Sequence, residues 1–93
     1  MWLDVRELVF DAVNEAKFAD HGMTIIDVLD VMDLEPRFFV NRRARRASHV
    51  MVGPTHSGQV IVVPIEDWGR GVWRPVTSFE ANQWQVRRYR RSL

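Results

Sequence analysis

The 93-residue chain contains no cysteine. That absence excludes a disulfide framework and a thiolate zinc site. Its three histidines, His21, His49 and His56, are scattered rather than grouped at ligand spacing, so neither a metal nor another cofactor is expected. No apolar run approaches the roughly 18 residues that a membrane span needs. The first ten residues, MWLDVRELVF, carry acids early and no basic stretch ahead of an apolar one, which is not the pattern of a signal peptide. A single cytoplasmic domain with no membrane association is the expectation. Lysine is nearly missing too: twelve of the thirteen bases are arginine, and Lys17 is the exception. A GC-rich coding bias accounts for arginine in general, but not for where the arginines fall.

They fall late. Residues 1–36 hold nine acids and two bases, a balance of −7, whereas residues 37–93 hold eleven bases and three acids, a balance of +8. Segregation of this kind points to a polyanionic partner. The guanidinium fork matches phosphate in two-point fashion, which the lysine ammonium does not.

Periodicity divides the single domain into three parts. Residues 1–35 read as an acidic helical hairpin. Its first helix carries an apolar stripe of Val5, Leu8, Val9, Ala12, Val13 and Ala16. Gly22 stops it, and Thr24 with Asp27 opens a second helix with near capping-box spacing. Ile25, Val28, Leu29 and Met32 line that helix, and Pro36 ends it. Val9, Val13, Leu29 and Met32 are expected to pack the two helices on the sheet. The spaced acids Asp27, Asp30 and Asp33 read as its solvated face.

Residues 37–79 then read as a four-stranded antiparallel sheet over 38–42, 47–52, 59–66 and 72–78, with turns at 53–58 and 67–71. Pro64 and Pro75 each remove a ladder donor and belong at an edge, a strand end or a bulge. Residues 80–93 read as a basic C-terminal helix. Thr77 and Glu80 have the spacing of its cap. The fold class is therefore α+β, with two N-terminal helices, an antiparallel meander and a terminal helix.

Two basic clusters suggest contacts to a nucleic-acid backbone. One is Arg42, Arg43, Arg45 and Arg46, just ahead of His49. The other is Arg87, Arg88, Arg90 and Arg91, around Tyr89. Centring the first hairpin on His56 and the second between Trp68 and Gly69 puts His49, Val63 and Arg74 in one row on one face. RNA cleavage needs a base for the 2′-hydroxyl, an acid for the 5′-oxygen and a cation for the phosphorane. His49 and Arg74 supply part of that set, and Tyr89 could stack on a base or donate a proton.

Each residue also has a plainer role. His49 can be a half-buried strand residue and Arg74 a sheet cation paired with Glu66 or Glu80. Tyr89 and Val86 can dock the last helix while its arginines stay wet. His56 can be a solvated turn residue and His21 a favourable charge at a helix C-terminus. Trp68, Trp73 and Trp84 can be packing residues.

Four stretches in order resemble a family. They are Lys17 with His21-Gly22-Met23-Thr24; Ser48 to Thr55 with Gly58; Val72 to Ser78; and Arg87-Arg88-Tyr89. The chain thereby resembles the BrnT-type toxins of bacterial type II toxin–antitoxin pairs. The resemblance implies a RelE-like ribonuclease fold with RNA on a basic face, and hence a metal-independent endoribonuclease. It also implies a cognate antitoxin, usually encoded next door, that covers the toxin and gives the complex DNA binding. A homodimer or a hetero-oligomer with that antitoxin fits the same pattern. The residues it singles out are Arg74, Arg87, Arg88, Tyr89 and Lys17. Two other classes fit the same arginines: a non-catalytic nucleic-acid-binding module, and an interaction domain for an acidic protein partner.

Overall fold

The computed structural model describes residues 3–43 and 46–93. In chain order the elements are β1 (Glu7–Leu8), α1 (Ala12–Asp20), α2 (Ile25–Asp33), β2 (Arg37–Val40), β3 (His49–Pro54), β4 (Val60–Gly69), β5 (Val72–Pro75), β6 (Phe79–Glu80) and α3 (Gln83–Arg91). The class is α+β, as expected, and β2, β3, β4 and β5 form the expected antiparallel meander. The sheet is nevertheless mixed, with six strands among the described residues.

The first departure lies at the N-terminus. Residues 7–8 are not helical; β1 pairs with β5 in parallel, Glu7 opposite Val72 and Leu8 opposite Trp73. Main-chain bonds from Arg6 to Gly71 (2.8 Å) and from Val9 to Trp73 (2.9 Å) cover an edge of β5 that would otherwise present unpaired carbonyls. Helix α1 begins only at Ala12, where the Asp11 side chain accepts from the Asn14 amide and the Asn14 side chain accepts from the Asp11 amide. That reciprocal box satisfies two of the orphan donors of the first turn. The expected stripe therefore does not exist as a helix face. Val13 is 61% exposed and Leu29 40% exposed, so neither packs on the sheet as expected. The side chains that α1 buries are Asn14 and Phe18. Asn14 is tolerated at full burial because its amide donates to the carbonyls of Val9 and Pro75, both at 2.9 Å.

Helix α2 starts as its sequence implies, with Thr24 and Asp27 in a reciprocal capping box after Gly22 at φ 73°. The expected solvated acid face is corrected at Asp30, which is buried. Its carboxylate accepts from the His56 amide (3.1 Å) and lies 2.6 Å from His56 Nδ1. Those bonds hold its pKa below the ordinary value, and they pin the β3–β4 turn to α2. Helix α3 is capped by Asn82 with Gln85, not by Thr77 with Glu80. Glu80 belongs instead to β6, which pairs with β4 through Ile61–Glu80 and Val62–Phe79. The expected strand over 72–78 is thus shortened to β5, residues 72–75, and β6 pairs further along β4 just beyond its expected end.

The helices flank the sheet on both sides. Phe18, Met23, Val28 and Val31 from the α1–α2 side pack with Phe38, Met51, Ile61, Val63, Ile65 and Trp73. Strand alternation sends Val52, Val62, Phe39, Val50 and Phe79 to the other face, where Tyr89 and Val86 of α3 cover part of them. Close packing between α2 and β3 rests on Gly53, where a Cβ would stand 2.9 Å from Val31 Cγ1 and 3.1 Å from the Glu35 carbonyl.

Candidate nucleic-acid interface

Helix α3 leaves part of its sheet face open. A groove of about 630 Å³ runs between its first turns, β6, the sheet and the loop after β2. Its floor is apolar, with Phe39, Val50, Val62 and Phe79 among its residues, and Arg42, Arg43 and Arg88 also line it. The Arg88 guanidinium stands 4.3 Å from the centroid of the Phe39 ring and 5.5 Å from that of Trp84. This is cation–π distance, and it holds a flexible cation in a defined place. Trp84 is 56% exposed, so its packing role is partial and a ring face remains available. Arginines beside apolar and aromatic surface can meet phosphates and bases together.

The structure brings together only some of the residues that the sequence suggests. Arg42, Arg43 and Arg88 share the groove. Arg87 is exposed on α3 without lining it, and Arg46 is exposed in the loop between β2 and β3, also without lining it. Arg45 lies outside the described residues. Lys17 sits in the last turn of α1, on the helical layer across the sheet from α3.

The row of His49, Val63 and Arg74 does not form. His49 pairs with Ile65, Met51 with Val63, and Arg74 with Glu66. The β3–β4 turn is centred one residue later than His56, with Thr55 donating to and accepting across it. The β4–β5 turn spans Gly69, Arg70 and Gly71, all at positive φ, with a bulge between Asp67 and Gly69. The first shift is even and keeps His49 with Val63 on the α1–α2 face. The second is odd and sends Arg74 to the opposite face.

Each of the three proposed catalytic side chains already has partners. The His49 ring meets Trp73 edge-on at 5.5 Å, and its Nδ1 lies 2.8 Å from Ser48 Oγ. Arg74 donates twice to Asp11, at 2.8 and 3.1 Å, and lies 4.0 Å from Glu66. Asp11 is lowered to about 2 chiefly by that arginine, and Arg74 is raised by the same bond. The Tyr89 hydroxyl donates to the Glu35 carbonyl at 2.6 Å, and burial raises its pKa. Tyr89 is 4% exposed and docks α3 on the sheet.

Phe39 and Trp84 are groove residues that the sequence does not single out as binding groups: Phe39 has no assigned role, and Trp84 reads as packing. Trp84 carries one local signal, its i, i+4 spacing to Arg88 on α3, whereas Phe39 carries none, because only the folding of α3 onto β2 brings it to them. Among the described residues, no group of three His, Cys, Asp or Glu is placed to hold a metal ion, and no helix is long and apolar enough to cross a membrane. No family model and no curated protein matches the chain.

Proposed function

We propose that this chain binds single-stranded RNA in the α3 groove and acts there as a metal-independent endoribonuclease, the toxin of a type II toxin–antitoxin pair. The observation that carries the RNA-binding part is the Arg88 guanidinium held over Phe39 and beside Trp84, with Arg42 and Arg43 lining the same groove. Phosphates meet the arginines while unpaired bases meet the aromatic and apolar surface. A duplex keeps its bases stacked inside and has nothing to offer that surface. The toxin assignment, the cytoplasmic location and a cognate antitoxin from an adjacent gene rest on the resemblance to BrnT-type toxins. The second reading is a binding module without catalysis. It is favoured by the separation of His49, Arg74 and Tyr89, none of which lines the groove.

The experiment is fluorescence anisotropy with a labelled 2′-O-methyl RNA, offered single-stranded and as its duplex. The single strand is expected to bind more tightly. Trp84→Ala is expected to weaken it by roughly 5- to 150-fold, the loss of one stacked base. Equal affinity for strand and duplex, or no effect of Trp84→Ala, would overturn the proposal.

A further inference from the structure

We propose that the groove selects uracil, with Gln85 and Asn82 as the residues that read the base edge; this rests on the RNA-binding reading above. Both residues line the groove, and both have a second task that fixes their amides. The Gln85 main-chain amide donates to Asn82 Oδ1 at 2.8 Å, and the Asn82 main-chain amide donates to Gln85 Oε1 at 2.9 Å. A main-chain N–H can only donate, so each side-chain oxygen faces this capping box and each NH2 faces away from it. Among the described residues neither NH2 is used by a hydrogen bond. Gln85 stands three residues before Arg88, whose guanidinium lies over Phe39, and four before Tyr89, which is docked on the sheet. At roughly 100° per residue its side chain leaves α3 between those two, towards the angle where helix and sheet meet. It is half-buried there.

The polar lining of the groove is rich in donors. Arg42, Arg43 and Arg88 donate and cannot accept. Asn41 supplies one acceptor: its Nδ2 donates to the Ala47 carbonyl at 3.1 Å, which leaves Oδ1. Glu80 also borders the groove, but it follows Phe79 and pairs with Ile61 of the α1–α2 core, so strand alternation turns its carboxylate to the other side. The Watson–Crick edge of uracil carries two carbonyls about one N–H, which complements two amide donors and one acceptor. Cytosine presents an amine in place of one carbonyl, so an NH2 there meets another NH2 and both stay unpaired. Adenine has no carbonyl. Guanine has one, and it brings an N–H and an NH2 that a single acceptor does not satisfy.

The test is fluorescence anisotropy with labelled 2′-O-methyl homopolymers of uridine and of cytidine. The two strands have equal length and charge, so phosphate contacts and pyrimidine stacking are matched. Wild type is expected to favour the uridine strand by roughly 5- to 150-fold, the discrimination of one well-paired base edge. Gln85→Glu and Asn82→Asp keep the box, because a carboxylate accepts the same main-chain bonds, and put an acceptor where the NH2 was. Their added charge weakens both strands alike, so the ratio of the two affinities is the readout, and circular dichroism confirms the fold. Each variant should bring that ratio towards unity. Asn82→Ser, an uncharged cap, should do so without the general loss of affinity. A ratio that these variants leave unchanged overturns the assignment of Gln85 and Asn82. Wild type that binds both strands equally overturns the inference and leaves the RNA-binding reading standing. Wild type that binds neither strand overturns that reading itself.

Discussion

Replacing Asn14 with alanine should cost this fold more than any exposed residue could. Asn14 is fully buried, and its side chain makes three hydrogen bonds: it donates to Val9 and Pro75 and accepts from the Asp11 amide, each at 2.9 Å. It ties the end of the β1 segment, the start of α1 and the end of β5 to one another. A buried hydrogen bond contributes about 1 kcal/mol net, and orphaning its buried partner adds to the loss. Three such bonds give a loss of about 3 kcal/mol, against a total stability of about 5 to 14 kcal/mol for a domain of this length. The melting temperature should fall by roughly 12 to 24 °C. Urea titration followed by circular dichroism reads the change, with an unaltered slope showing that the folded state is the same. RNA binding below the transition should persist, because the groove lies on the other face of the sheet. A loss under about 1 kcal/mol would refute the reasoning, since even one of the three bonds should cost that much.

Three further outcomes follow from the same geometry. Tyr89→Phe keeps the docking ring and removes the bond to the Glu35 carbonyl, so it should lower stability by about 1 kcal/mol and leave RNA binding and cleavage unchanged; loss of cleavage in a fully stable variant would restore a chemical role for the hydroxyl. Ser78 Oγ is buried without a hydrogen-bond partner among the described residues, so Ser78→Ala should be neutral or stabilising by up to about 1 kcal/mol in the same urea assay, and a clear destabilisation would mean that the hydroxyl has a partner. Asp11 falls from 3.8 to about 2 on folding, so its contribution is fully present above about pH 4 and disappears as pH falls through about 2. Asp11→Asn should flatten the stability profile within that window, and an unchanged acid limb would contradict the pairing with Arg74.

Local chemistry made much of the fold legible. The Gly22 stop, the Thr24–Asp27 box and the order of the four main strands follow from nearest-neighbour preferences, and all are present. The N-terminus was not legible, because Val5, Leu8 and Val9 fit helical spacing as well as an edge strand. What decides between them is the uncovered side of β5, a partner more than sixty residues away. Register failed for a related reason. The second turn is built by left-handed Gly69, Arg70 and Gly71, and placing its centre too early moved Arg74 to the wrong face. At the groove, the arginine clusters announced themselves by density and Trp84 stands one helical turn before Arg88 on α3, whereas Phe39 became a partner of Arg88 only through the docking of α3 by Tyr89.

The salt dependence of RNA affinity addresses the groove most directly. Each phosphate contact on a single strand contributes about −0.7 to the slope of log affinity against log salt. Replacing Arg42, Arg43 and Arg88 together with alanine should therefore weaken binding to a single-stranded 2′-O-methyl RNA and make the slope shallower by about 2. The same three changes should leave the urea midpoint near that of wild type, because these side chains lie outside the two cores. Wild-type affinity and slope in the triple variant would contradict the account, because RNA would then be held somewhere other than the groove beside α3.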